Sequence, residues 1–396
     1  MTSNTSANDH SFSANTALFW ALILTAGFWL LPFSRAFHAV LLVLLPVACY
    51  KLFFVKNFFA DEPAKRYWLF VNACFFVPLF FSAVSPFALG HEASAKPLEL
   101  GLMQLLLCGI GFVVMDLIRQ EKVKDFLFLI SLVVLLFWAA DLLFQVVSGA
   151  DIFGAPATLR PGIYFDHPAK FGFYLAALSP LVLFNPRVLR TRLPIQLLVF
   201  GLYFAAILVS NTRAAWLVYA YCSAIWFWSL YRQGHIRLSH ISLSAILAAA
   251  MIAVLAMFDA HFAQRLETLG PMLKSITDVK GVIPVRSEIW TNLGALISDN
   301  LWLGTGAGNF KIAFTAYANE ALAAKKIQPY AHQLILDILS GTGLLGLIAW
   351  LALNVAVIKA WLQSSNRIQA LPFFLIPVLT WFPLNTHRDI YSSEMM

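Results

Sequence analysis

Charge is what this sequence has least of. Its 27 Lys and Arg and 20 Asp and Glu make up 12% of 396 residues, against 60% hydrophobic residues and a mean hydropathy of +0.76. A soluble domain carries about 25% charged residues. A water-soluble globule is therefore excluded, and lipid must solvate much of the surface. Cysteine is scarce too. Cys49, Cys74, Cys108 and Cys222 lie in or beside apolar segments, without metal-ligand spacing or a paired framework, and read as small apolar filler. There is no HExxH and no acidic pair of the DxD kind, so no metal and no other cofactor is expected. The first 15 residues lack a basic cluster, and the apolar stretch after them has no small-residue cleavage site, which makes it a retained span. Repeats, low-complexity tracts and a soluble domain are also lacking.

What is present is a series of apolar runs. A spanning helix needs about 20 apolar residues, and eleven candidates can be read at 17–34, 36–50, 67–87, 98–117, 126–147, 168–184, 194–210, 214–231, 241–258, 333–358 and 369–385. Backbone groups in lipid must be satisfied within the segment, so the runs are helices. The fold class is an all-α polytopic bundle of about 11–12 transmembrane helices with a long helical outer loop. Three parts follow: helices one to nine over 1–258, the loop over 259–331, and the C-terminal helices over 332–396.

Orientation comes from the short loops. With the N-terminus inside, the inner loops hold fourteen cations: Lys51, Lys56, Lys65, Arg66, Arg119, Lys122, Lys124, Arg187, Arg190, Arg192, Arg232, Arg237, Lys359 and Arg367. The outer short loops and span ends hold six: Arg35, Lys96, Arg160, Lys170, Arg213 and Arg388. Short loops rich in Lys and Arg stay inside. The net charge of +7 is therefore a topology signal, and no nucleic-acid partner is expected. The loop 259–331 carries both signs and does not vote. Within it, Ile289, Leu293, Leu296 and Leu301 recur at nearly helical spacing, and Phe310, Phe314 and Tyr317 share a side of a second helix-like stretch, Phe310 to Lys325.

Three polar residues stand where a membrane protein has no obvious need of them, all on the outer side. Arg213 lies in Ser210-Asn211-Thr212-Arg213, a turn of almost no length between spans. A guanidinium there costs a few kcal/mol if it faces lipid, so it faces a wet cavity or an anion. Arg286 opens the amphipathic stretch in Arg286-Ser287-Glu288-Ile289-Trp290. His332 begins the tenth span, and imidazole is the side chain best suited to take a proton near neutral pH. Asp337, five residues on, is not on the same helical face. Secondary candidates are Arg160, His167 before the sixth span, and His387 after the eleventh. Gly304-Thr305-Gly306-Ala307-Gly308-Asn309 lacks the ending of a P-loop and reads as a turn between loop helices.

At these residues the chain resembles the O-antigen ligase and polymerase superfamily of bacterial envelope enzymes. The resemblance rests on Ser210 to Trp216, Arg286 to Trp290, Trp302 to Phe310, His332, and Gly341-Thr342-Gly343-Leu344-Leu345-Gly346, over roughly the second half of the chain. The ending Phe382-Pro383-Leu384-Asn385-Thr386-His387 looks like the ligase branch. Members usually have a twelfth span after this point, whereas this chain stops at Met396, either shortened there or of a branch that differs. The resemblance implies a multi-pass inner-membrane enzyme with a periplasmic active site. Its partners would be a glycan donor on undecaprenyl diphosphate, a lipid A core acceptor and the surrounding membrane lipids. Arg213 and Arg286 would bind the diphosphate, and His332 would be the catalytic base, in metal-independent, inverting transfer. An O-antigen polymerase is the alternative within this chemistry. A transporter, with broken helices near the midplane and a repeat between halves, is the alternative outside it.

Overall fold

The computed structural model describes residues 14–29, 42–50, 63–157, 168–258, 260–267, 284–318, 331 and 333–381. Each apolar run overlaps a helix among the described residues. In chain order these are α1 Ala14–Trp29, α2 at 42–50, α3 Pro63–Ala83, α4 Pro86–Gly90, α5 Ala95–Ile118, α6 Glu121–Ser148, α7 Pro168–Leu183, α8 Pro186–Leu189, α9 Leu193–Val209, α10 Arg213–Arg232 and α11 Leu238–Phe258. The remainder are α12 Ala260–Glu267, α13 Pro284–Asp299, α14 Phe310–Tyr317, α15 Leu334–Gln363 and α16 Arg367–Thr380. No strand occurs among the described residues beyond a single bridge between Ala150 and Pro156. α3, α5, α6, α11 and α15 are long and apolar enough to cross a membrane, and α1, α7, α9 and α16 contain shorter apolar stretches. The chain is a multi-pass all-α membrane protein.

Several polar groups find partners between spans inside the protein, as lipid favours. The Gln104 amide of α5 donates to Asn72 of α3 at 2.7 Å, and the Trp68 indole donates to the Cys108 carbonyl at 2.9 Å. Gly111 admits that indole, since a Cβ there would lie 2.3 Å from it. Further along, Tyr203 donates to the Leu175 carbonyl and Tyr219 to the Phe200 carbonyl. Phe200, Tyr219 and Trp226 stack between α9 and α10. Among the described helices, α11 is the one with no buried residue.

The bundle has two chemically distinct ends. At one, Lys65 pairs with Asp116 at 3.7 Å, Asn185 donates to the Phe128 carbonyl, and Arg367 donates to the Leu362 carbonyl. Those contacts join the start of α3 to the end of α5, the end of α7 to the start of α6, and α15 to α16. At the other end, the C-terminus of α3 meets the 300–309 loop, and the turn between α9 and α10 meets the start of α7. The first end carries most of the short-loop cations, including Lys65, Arg119, Lys124, Arg187, Arg190, Arg232 and Arg367.

α15 differs from the expected span at 333–358. It runs to Gln363 and is broken at Gly343 (φ 65, ψ −158). The 20 residues after the break cover about 30 Å, the thickness of the hydrocarbon core. The segment from Leu334 to Thr342 is thus left over as an extension beyond the span, toward the end that holds the α9–α10 turn.

That extension is covered by a small helical cap. Ile289, Leu293 and Leu296 of α13 pack against Phe310, Ala313 and Phe314 of α14, with Phe87 of α4 and Ala331 closing the cluster. The helical spacing anticipated all three α13 residues and both phenylalanines. Leu301 departs from it: α13 stops at Asp299, and Leu301 is exposed in the following turn. α14 stops at Tyr317, and 319–330 lie outside the described residues.

Candidate functional site

The cap, the break in α15 and the Arg213 turn all lie at the cation-poor end. The Arg213 turn is the tightest of the three. α9 ends with carbonyls that have no helical partner, and side chains supply them. Ser210 Oγ donates to the Ile207 carbonyl at 2.7 Å, and the Trp216 indole donates to the carbonyls of Ile207 and Leu208 at 3.1 and 3.3 Å. Asn211 takes φ 53, and Ser210, Asn211 and Thr212 are buried. Thr212 caps α10, so Arg213 is its first residue, half-buried at the helix's positive end. α7 presses on the turn at Gly172, where a Cβ would lie 2.2 Å from Ser210 Oγ. The guanidinium therefore springs from a backbone held by three helices.

The glycine loop is more than a turn between loop helices. It lies along α15 and completes the broken backbone. The N–H groups of Thr305 and Gly306 donate to the carbonyls of Ser340 and Gly341 at 2.8 and 3.0 Å, and those of Leu344 and Leu345 donate to the carbonyls of Leu301 and Trp302 at 2.8 and 3.2 Å. Four backbone groups of α15 at the break are paired across the interface, the condition for non-helical backbone close to lipid. Two glycines permit the approach. A Cβ on Gly304 would lie 2.4 Å from the Gly341 backbone, and one on Gly343 would lie 2.5 Å from the Trp302 backbone, both at positive φ. Asn309 pins the loop by donating to the carbonyls of Ala93 and Thr305. Ala307 N–H donates to Ser82 Oγ at 3.3 Å.

Arg286 is the third residue of α13, and its backbone alone is described. One turn on, the Trp290 indole donates to the Ala331 carbonyl at 2.9 Å. The Ala331 N–H donates to Asp337 Oδ1. Gln333 caps α15, its side-chain oxygen accepting from Leu336 N–H at 2.6 Å. His332 lies between these anchors but outside the described residues, as do Arg160, His167 and His387. The structure thus brings the helix of Arg286 and the backbone flanking His332 into direct contact. The Arg213 turn reaches them through the core: Phe171 of α7, Ala215 of α10, and Leu334 and Ile338 of α15 belong to one continuous cluster.

Sequence reasoning missed Trp290 and Asp337 as supports of this segment. Spacing rules pair side chains with side chains, and both of these residues reach backbone groups. Nearby, Tyr317 of α14 donates to Asp299 at 3.1 Å, tying α14 to the end of α13. Burial pushes its hydroxyl up from the usual value, an Asn300 hydrogen bond opposes this, and Asp299 adds to it. Among the described residues no three His, Cys, Asp or Glu side chains gather as metal ligands.

A spanning bundle that carries a helical cap, a loop-completed helix break and a guanidinium turn at one end defines a polytopic membrane protein built around that end. Residues 198–351, from within α9 into α15, match the family described as O-antigen ligase. Over this segment the chain is similar to the O-antigen ligase family. The match contains Arg213, Arg286, His332, the glycine loop and the break. No curated protein matches the chain.

Proposed function

We propose that the protein is an O-antigen ligase of the bacterial inner membrane. It takes a glycan from undecaprenyl diphosphate and joins it to a sugar hydroxyl of the lipid A core on the periplasmic face. One observation carries the reading. Within the family-matched segment, the helix bearing Arg286 holds the backbone beside His332, at the end of the bundle where Arg213 also stands. The cation-rich opposite end supports a periplasmic placement of this one, by the bias of short cytoplasmic loops.

The chemistry follows from the groups. His332 takes the proton of the acceptor hydroxyl, and the oxygen attacks the anomeric carbon. The bond from that carbon to the diphosphate oxygen breaks, and its electron pair leaves with the diphosphate. Attack opposite the leaving group inverts the centre. Arg213 and Arg286 meet the developing charge with charge-assisted, often bidentate hydrogen bonds. A leaving group so neutralised needs no separate acid, and the activated donor needs no ATP.

A deletion strain tests the reading. A ligase predicts a core without polymer while lipid-linked polymer accumulates. A single repeat still attached to the core identifies a polymerase instead, and a normal surface glycan discards both.

A further inference from the structure

A second feature lies far from the Arg213 turn. A cavity of about 540 Å³ opens between α1, α5, α6, α7 and α16 in the half of the bundle nearer the cation-rich end. That is within the range of about 300–1,000 Å³ typical of ligand sites. Thr25, Phe28, Ile118, Phe128 and Phe373 are among its walls, and Lys124 is the one cation among its described lining residues. Ile118 and Phe373 are exposed and form a rim on the outside of the bundle.

The walls are more apolar than their composition suggests. The Thr25 hydroxyl donates to the Ala21 carbonyl at 2.8 Å, and Ser131, also in the lining, donates to the Phe128 carbonyl at 2.9 Å. Both hydroxyls are turned back onto their own helices. Water needs two or more polar partners to stay in a cavity, and apolar cavities stay dry and take hydrocarbon. The occupant is therefore a hydrocarbon chain, and Lys124 decides what heads it. Lys124 makes a 2.7 Å pair with Glu121 that is exposed on the glutamate side, and such pairs hold weakly. Arg119 and Lys122 flank it in sequence, and Arg187 and Arg190 follow Asn185, whose amide donates to Phe128. This rim is complementary to an anionic headgroup. Along α6, Lys124 is about 30 Å from Gln145 at the opposite end, at 1.5 Å per residue. A diphosphate at Arg213 thus cannot also occupy Lys124.

We propose that this cavity is a phospholipid site of the leaflet opposite Arg213. It takes one acyl chain of an anionic phospholipid, with the phosphate at Lys124.

The test uses the full-length protein in mild detergent and reads bound lipid by native mass spectrometry and the unfolding midpoint on lipid addition. Phosphatidylglycerol is expected to stay bound and to raise the midpoint by several degrees. Phosphatidylcholine with the same chains should do so several-fold less well. Lys124→Glu, half-buried at the cavity wall, should abolish the phosphatidylglycerol effect. Leu181→Trp, which fills the cavity, should remove retention, and Thr25→Leu serves if that variant does not fold. Unchanged retention in Lys124→Glu and the filled variant overturns the proposal. So does an equal response to phosphatidylcholine, or displacement of phosphatidylglycerol by an equimolar polyisoprenyl phosphate, which would make the cavity a prenyl-tail channel. No readout depends on glycan transfer.

Discussion

Trp290 donates its indole proton to the carbonyl of Ala331, 41 residues away in sequence, at 2.9 Å. With Asp337 accepting the Ala331 N–H, both polar groups of the residue before His332 are held by side chains. Trp290→Phe strands a buried carbonyl, a loss of about 1–3 kcal/mol. Transfer should fall by more than the midpoint implies. Asp337→Asn keeps an acceptor oxygen and should keep most activity, while Asp337→Ala should not. An inactive Asp337→Asn with a normal unfolding midpoint would mean that the carboxylate acts as a charge rather than a brace.

The chemical roles make a sharper set of expectations. His332→Ala should abolish transfer while the protein reaches the membrane at normal levels, since a general base contributes about 10²–10⁴-fold. Arg213→Lys and Arg286→Lys keep the charge and lose the fork, so both should impair transfer. Surface glycan on immunoblots, alongside membrane abundance, reads all three. Full activity in both lysine variants removes the clamp.

The glycines of the loop-to-helix junction should behave unlike an ordinary helical glycine. Gly304→Ala and Gly343→Ala each drive a methyl into backbone at a positive φ, and strain of this kind costs about 1–3 kcal/mol per residue before the clash is added. Both should lower the unfolding midpoint. Gly294→Ala, mid-α13 with nothing within 4 Å of the added methyl, should raise stability by about 0.5–1 kcal/mol. Thermal unfolding in detergent separates the two groups by sign.

Gly172 offers a way to disturb Arg213 without touching it. A methyl there would collide with Ser210 Oγ at 2.2 Å and Cβ at 2.6 Å. Gly172→Ala should shift the turn and reduce transfer, and adding Ser210→Gly should restore part of it. A double-mutant cycle with no coupling would show that the turn does not depend on α7.

The spans were legible because length and apolarity leave few alternatives in lipid, and the α13 face because Ile289, Leu293 and Leu296 keep a helical period. The break in α15 was not. Gly341-Thr342-Gly343 alone reads as a soft stretch of helix, and its partners lie some forty residues upstream in a loop with no periodic signal. Leu301 misled for a related reason: it continues the period of α13 although the helix has already stopped at Asp299. Arg213 was legible as an anomaly, a cation in a turn with no room for solvated excursion. What holds it, Gly172, was invisible because a missing side chain leaves no pattern.

The pairing of Leu301–Gly306 with Ser340–Leu345 also decides how the protein can be recombined with its relatives. A graft that imported only the outer loop would bring one half of a two-part seam and leave peptide groups stranded at a lipid boundary. Viable chimaeras should carry 284–346 as a single cassette, with the suture placed below Gly346, where α15 closes its own ladder.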